Sequence, residues 1–61
     1  MTVREMLRKL RKDGWVVVRQ RGSHRQLHHP TKPGTVTVAG KLNKDLTPKM
    51  KTSILRQAGL K

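Results

Sequence analysis

The stretch "WVVVRQRGSHRQLHHP" at residues 15–30 decides how this chain folds. Its first part, residues 15–20, is a β-branched run that is too short for a helix and too apolar for a loop, so it predicts a strand. Arg21 and Gly22 then suit a tight turn, and the chain returns as a second strand that ends before Pro30. The sequence therefore predicts a β-hairpin at the centre of the fold.

The turn sets which residues face one another across the hairpin. With Arg21 and Gly22 as a two-residue turn, Arg19 pairs with His24. A longer loop would shift the pairing by one residue and separate Arg19 from His24. The register of the hairpin therefore decides whether a cation stands directly beside this histidine.

The alternation of the second strand predicts which of its side chains are buried. Leu27 is the one aliphatic residue of this strand, so it is expected on the core side together with Val16 and Val18. The alternate positions are then expected to share the opposite, open face of the sheet: His24, Gln26 and His28.

Helices are predicted on both sides of the hairpin. Thr2 and Glu5 fit a capping box that starts the first helix, and Gly14 supplies its left-handed end. Thr47 followed by Pro48 is a usual start of a second helix, and the "AGL" that follows it suits a Schellman ending. Each helix carries one apolar stripe at helical spacing: Val3, Met6, Leu7 and Leu10 in the first, and Met50, Ile54, Leu55 and Ala58 in the second.

A third strand completes the pattern. Residues 35–39, "TVTVA", alternate with period two and face the core through Val36 and Val38, while residues 30–34 and 40–46 are loops. The order is α-β-β-β-α. We expect an α+β fold in which a three-stranded antiparallel sheet carries both helices on one face. The 61 residues form one domain, 1–61, with a thin core.

Charge and composition narrow the class of partner. Fifteen Lys and Arg residues oppose three carboxylates, which gives a formal charge of +12 and predicts a polyanionic partner, above all nucleic acid. The chain contains no cysteine, so disulfides and thiolate chemistry are excluded. It also lacks a long apolar run and the large apolar anchors of a membrane-surface helix. A cytoplasmic protein with no membrane partner is expected.

His24 is the candidate catalytic residue. An exposed histidine is commonly a solvated side chain only, but an imidazole exchanges protons near neutral pH and RNA carries its own nucleophile, the 2′-hydroxyl. Cleavage would then require a proton shuttle and cations that stabilise the charge of a phosphorane-like transition state. Arg19, Arg21 and Arg25 are close enough in sequence to supply those cations.

A metal site is the weaker interpretation of the three histidines. No carboxylate or thiolate lies near them in sequence, and a strand places His28 and His29 on opposite faces. We therefore expect no bound metal. His29 is predicted to end the strand beside Pro30, and His28 is an auxiliary candidate on the open face.

Three segments of the chain resemble the HicA toxins of HicA–HicB toxin–antitoxin modules. They are "LRKDGWVVVRQRGSHRQLHHP" at residues 10–30, the valine-rich third strand, and "LTPKMKTSILRQAGL" at residues 46–60. The most specific parts are the Gly-Trp pair at Gly14 and Trp15, the Gly-Ser-His turn at residues 22–24, and the closing "ILRQAGL". Many members carry a Pro-His segment after the third strand, where this chain has "AGKLNKDL", so no role of a second histidine carries over.

The resemblance implies a double-stranded-RNA-binding-domain-like form of this fold and a function. It implies an mRNA interferase, that is, a toxin that cleaves mRNA without metal or other cofactor, with His24 of the Gly-Ser-His turn as the catalytic residue. It also implies a HicB-like antitoxin that covers His24. The expected RNA-binding residues surround it: Arg19, Arg21, Gly22, Ser23, Arg25, Gln26 and His28.

Two other functions fit parts of the sequence. Fold and charge alone also suit a non-catalytic RNA-binding module, which would bind RNA without shortening it. A purely structural partner of another protein would bind independently of salt. The Gly-Ser-His turn favours the nuclease, because neither alternative requires it.

Overall fold

The computed structural model describes residues 1–60 and has the predicted order of elements. They are α1 (Val3–Asp13), β1 (Val16–Arg21), β2 (His24–His28), β3 (Val36–Ala39) and α2 (Pro48–Gln57). The strands form one antiparallel sheet in the order β1-β2-β3, so that β2 is central. Both helices bury their apolar stripes against the same face of this sheet. The predicted α-β-β-β-α fold is therefore confirmed.

The core lies between the two helices and the covered face of the sheet. Leu27 of β2 is fully buried at its centre, and Trp15, just before β1, is 1% exposed. Full burial of a leucine side chain contributes about 1.5–3 kcal/mol. The other buried apolar residues are Val3, Met6, Leu7, Leu10, Val36, Val38, Leu46, Ile54, Leu55 and Ala58. The two predicted helical stripes are confirmed, with Met50 half-buried at the edge of the core.

The start of α1 has the predicted capping box. The Thr2 hydroxyl accepts the Glu5 N–H at 3.2 Å, and the Glu5 carboxylate accepts the Thr2 N–H at 2.8 Å. The loop after β3 satisfies the next donors, because Val3 donates to the Lys44 carbonyl at 2.9 Å. One role of the "AGKLNKDL" segment is therefore to hold the first turn of α1.

The ends of α2 also follow the sequence. The Thr47 hydroxyl caps its start by accepting the Met50 N–H at 3.1 Å. At its other end Gly59 has φ 68°, and the Leu60 N–H donates to the Leu55 carbonyl at 2.9 Å. These features are those of a Schellman motif, as predicted.

The hairpin turn lies one residue further along the chain than predicted. The turn consists of Gly22 and Ser23, so that Arg21 pairs with His24 and Arg19 pairs with Gln26. The predicted pairing of Arg19 with His24 is wrong. The reason is the turn type: hairpin turns of two residues require a positive φ at their first position, which Gly22 (φ 59°) supplies and Arg21 would supply only with strain.

The predicted positions of two valines in β1 are also wrong, because of a second irregularity in this strand. Val16 and Val18 are 53% and 51% exposed, whereas Val17 pairs with Leu27 and packs against the core. The pairing shifts again between Val17 and Arg19, where Val18 forms a β-bulge. The bulge exchanges the faces of the residues that precede it, so that Val17 and not Val16 faces the core, while Arg19 and Arg21 keep the open face.

His29 has a larger structural role than the predicted end of a strand. Its side chain is 8% exposed, and its Nε2 donates to the Asp13 carbonyl at 2.6 Å. Its Nδ1 accepts the backbone N–H groups of Thr31 and Lys32, each at 3.1 Å, which fixes the Nε2–H tautomer. The ring also packs edge-to-face on Trp15 at 5.2 Å. His29 thus joins the end of α1 to the loop after β2.

The Asp13–Lys32 ion pair makes the fold sensitive to acid. A hydrogen bond from Lys32 Nζ at 2.6 Å holds the pKa of Asp13 below its usual value of 3.8, despite the opposing effect of partial desolvation. Such a carboxyl contributes stability above its unfolded-state pKa and loses it as the pH falls through the folded-state pKa. We expect the free energy of unfolding to decrease as the pH is lowered below about 4.

Urea unfolding of Asp13→Asn at several pH values tests this expectation. The variant should be less stable than the wild type at neutral pH, and the difference should shrink in acid. Glu5→Gln is the matched control. The Thr2 backbone N–H also lowers the pKa of Glu5, so Glu5 makes its own contribution to the acid sensitivity of the fold, and this contribution persists in Asp13→Asn. An Asp13→Asn protein with the full acid sensitivity of the wild type would contradict the account.

Candidate active site

A shallow depression of about 520 Å³ lies on the open face of the sheet, opposite the helices. All three strands contribute to it. Its lining residues are Arg19, Arg21, His24, Gln26 and Thr37. Four of these five were predicted as catalytic or RNA-binding residues, and the structure brings them together.

His24 is the first residue of β2 and follows the turn directly. It is exposed, and its neighbours across the sheet are Arg21 on β1 and Ala39 on β3. Because Ala39 carries only a methyl group, the imidazole is not covered from that side. The turn at Gly22 and Ser23 thus positions His24 on the open face, where its side chain is accessible.

Two arginines of β1 lie on one side of the histidine. Arg21 is directly opposite His24, and Arg19 lies two residues along β1 on the same face. Arg19 therefore shares the depression with His24, although the two residues are not paired. Two guanidinium groups next to one imidazole form a site that attracts a phosphate group.

The carboxylates of the chain lie away from this face. Glu5 is held in the capping box, Asp13 is paired with Lys32, and a backbone β-bridge to Thr2 places Asp45 beside the start of α1. Within residues 1–60, no carboxylate therefore neutralises the arginines of the depression. Histidine is the residue type that exchanges protons near neutral pH, and His24 is the one histidine among the lining residues.

His28 lies on the same face but not in the depression. It is exposed, and its Nε2 lies 3.0 Å from the Thr35 hydroxyl. It lies four positions along β2 from His24, which corresponds to about 13 Å along a strand. The two histidines are thus too far apart to act on one phosphodiester bond together.

The structure does not bring Arg25 to the open face. Its side chain points to the core side and is 7% exposed, and its Nη1 donates to the carbonyls of Ser23 at 3.1 Å and Gly40 at 2.8 Å. Arg25 therefore ties the turn before His24 to the loop after β3. The sequence contained the signal for this position, because Arg25 is two residues from Leu27 and shares its face.

Removal of the Arg25 guanidinium should destabilise the protein. Arg25→Met leaves two carbonyl groups without a charge-assisted donor, and we expect a loss of about 1.5–3 kcal/mol in the free energy of unfolding. Urea unfolding measures this loss. Arg21→Met is the matched control, and since Arg21 is exposed its effect should stay within about 0.5 kcal/mol. Equal effects of the two substitutions would show that Arg25 does not secure the turn.

In the described part of the chain, none of the helices is long and apolar enough to cross a bilayer. Fold and site together define a class of protein: a small, strongly basic α-β-β-β-α domain whose open sheet face presents one histidine beside two arginines.

A family model described as "HicA toxin of bacterial toxin-antitoxin" matches residues 3–60. Because this match covers nearly the whole chain, the protein belongs to the HicA toxin family. Membership identifies it as a toxin of a toxin–antitoxin system and implies a HicB antitoxin as its partner. No curated protein matches the sequence.

Proposed function

We propose that this toxin is a metal-independent endoribonuclease that cleaves mRNA, with His24 as its catalytic residue. The observation that carries the proposal is the depression on the open face, where exposed His24 lies with Arg19 and Arg21 and without a carboxylate. This set of residues provides a proton-transfer group and cations in a place that an RNA strand can reach. The shallow form of the site suits a polymer better than a small substrate.

The chemistry requires little from the protein because RNA supplies the nucleophile. His24 takes the proton of a 2′-hydroxyl as its oxygen attacks the adjacent phosphorus. As the bond from phosphorus to the 5′-oxygen breaks, the protonated imidazole returns the proton to that oxygen. The products are a 2′,3′-cyclic phosphate and a 5′-hydroxyl, and His24 is neutral again. One histidine can thus serve as base and then as acid.

The arginines of the depression stabilise the reacting phosphate. Negative charge increases on the phosphoryl oxygens as the pentacoordinate transition state forms, and Arg21 and Arg19 are the nearest fixed cations on this face. Loss of such a donor typically lowers a rate by about 10²–10³-fold. The backbone of Gly22 and Ser23, with Gln26, holds the neighbouring nucleotides, and His28 contacts RNA further along β2. Arg25 acts through the turn and does not contact RNA.

The antitoxin covers the same depression. A HicB antitoxin seated on the open face would exclude RNA from His24 and cancel the repulsion among the arginines around it. RNA and antitoxin therefore compete for one surface. Arg21→Glu, which reverses a charge beside His24, should weaken both interactions together.

Incubation of purified protein with mRNA in EDTA tests the proposed activity. We expect the RNA to be shortened at a rate that EDTA does not change and that falls steeply as salt is raised, because the substrate is held through its phosphates. RNA that is retarded in a gel but keeps its length would contradict the proposal and favour the non-catalytic RNA-binding module.

A further inference from the structure

A second basic surface lies on the outer side of α1, on the side of the molecule away from His24. It is a groove of about 490 Å³ between α1 and the loop after β3, which we name the α1 groove. Its lining residues are Arg4, Leu7, Arg8, Arg11, Lys12 and Leu42. Four of the six are cations, and the proposed cleavage of RNA at the open face uses none of them.

None of the cations of the α1 groove forms an ion pair within residues 1–60. The ion pairs of residues 1–60 all involve Asp13, which binds Lys32 and lies near His29. The one carboxylate within α1 ahead of Asp13 is Glu5, which is engaged by the Thr2 N–H. Like charges three and four residues apart on a helix repel one another, so a bound anion would stabilise this arrangement.

The α1 groove is separated from the depression at His24 by the body of the fold. Val3, Met6 and Leu10 of α1 are fully buried against the covered face of the sheet, while His24 is exposed on the opposite face. The cations of α1 therefore point away from the sheet. A ligand in the α1 groove is not in contact with a phosphate at His24.

The lining of the α1 groove favours a phosphate backbone over a protein surface. The core of a protein interface is typically apolar, rich in aromatic residues and depleted of charge. Here the cations occupy the groove itself, Leu7 is 3% exposed, and Leu42, at 40%, is its one exposed apolar side chain. Arg4, Arg8 and Lys12 form a row with a rise of about 6 Å per step along the helix.

We propose that the α1 groove binds the phosphate backbone of a second segment of the RNA, remote from the bond that is cleaved. The proposal rests on RNA being the substrate. A long RNA that contacts both surfaces gains affinity through the high effective concentration of its second segment. A short RNA that fills the depression alone gains nothing from α1.

The test compares two pairs of substitutions that remove the same charge from the exposed side of a helix. The test pair is Arg4→Gln with Arg8→Gln on α1, and the control pair is Lys49→Gln with Lys51→Gln on α2. All four residues are exposed, and circular dichroism checks that both variants fold. The probe is an all-2′-deoxy oligonucleotide of about 30 nucleotides, whose affinity is measured over a range of salt concentrations. Because this probe cannot be cleaved, the result does not depend on the role of His24.

We expect the α1 pair to lower the affinity for the long probe by roughly tenfold or more and to reduce the salt slope by about 1.4, which is 0.7 for each lost phosphate contact. The control pair should change the affinity by less than about threefold. A probe of about four nucleotides should bind to both variants with the same affinity. The protein that carries the α1 pair should cleave a short RNA at the wild-type rate.

Three results would overturn the proposal. Equal losses in both pairs would show a general effect of net charge, and an unchanged affinity of the α1 pair would show that the groove does not bind phosphate. Loss of antitoxin binding by the α1 pair, with full affinity for the long probe, would assign the groove to a protein partner. If the wild type binds the long probe through α1 but cuts no RNA, the proposed cleavage activity is wrong, whereas phosphate binding by the α1 groove is confirmed.

Discussion

His24→Ala is expected to lower the rate of RNA cleavage by roughly 10²–10⁴-fold, the usual contribution of a general acid–base residue. The substitution removes the one proton-transfer group in the depression and leaves Arg19 and Arg21 in place. Because His24 is exposed, the free energy of unfolding should change by less than about 0.5 kcal/mol. RNA affinity should therefore persist while cleavage is lost, and expression of the variant should no longer arrest growth.

His28→Ala is the matched control for this prediction. It removes an exposed histidine from the same strand and the same face, outside the depression. Its cleavage rate should stay within a few-fold of the wild type, with only a modest loss of affinity. A folded His24→Ala protein that cleaves RNA at the wild-type rate, or a loss of equal size in His28→Ala, would remove His24 from the catalytic role.

Gly14→Ala is expected to destabilise the fold by about 2–4 kcal/mol, a large part of the stability of a domain of this size. Gly14 ends α1 with φ 109°, and a side chain in the left-handed region costs about 1–2 kcal/mol. The added Cβ would also lie 2.7 Å from Nε2 of His29, where that nitrogen donates to the Asp13 carbonyl. The new methyl group must therefore displace the ring that joins α1 to the loop after β2.

Two further variants separate the strain at Gly14 from the clash. Gly34 has φ 87° and no atom within 4 Å of an added Cβ, so Gly34→Ala reports the cost of the backbone conformation alone. Urea unfolding should show a clearly smaller loss for Gly34→Ala than for Gly14→Ala. In a protein that already carries His29→Ala, Gly14→Ala should cost no more than Gly34→Ala does in the wild type. Equal losses at the two glycines in the wild type would contradict the proposed contact.

The fold could be predicted from the sequence because its local signals agree with one another. The capping box at Thr2, the left-handed Gly14 and the Thr47 cap mark the helix ends, and alternation marks Val36 and Val38. Each signal depends on the conformation of a few neighbouring residues, and all of them lead to the same arrangement. These predictions did not require knowledge of distant contacts.

The hairpin register was harder to predict because two separate local events determine it. The glycine had to occupy the first position of the turn, which moved the turn by one residue and changed the partner of Arg19 from His24 to Gln26. A bulge at Val18 then exchanged the faces of the residues before it, so that Val17 packs beside Leu27 and Val16 is exposed. A β-branched residue at a bulge carries no distinctive sequence signal, and only the packing of Val17 on the core reveals it.

The candidate site shows the same division between local and distant information. His24, Gln26 and His28 share the open face as alternation predicts. The structural roles of Arg25 and His29 depend on carbonyl groups 15 and 16 residues away in the chain, at Gly40 and Asp13. Sequence spacing gives no access to such partners, so both residues looked like further members of a basic, histidine-rich surface.

The most direct test of the account is the chemical nature of the ends that the wild-type protein produces. An RNA cleaved in EDTA is compared with the same RNA carrying a single 2′-deoxy nucleotide on the 5′ side of the main cleavage point. We predict a 2′,3′-cyclic phosphate and a 5′-hydroxyl from the first RNA, and no cleavage at that point in the second. Products with a 5′-phosphate, or cleavage of the deoxy-substituted bond at an unchanged rate, would show that the 2′-hydroxyl is not the nucleophile and would contradict the proposed role of His24.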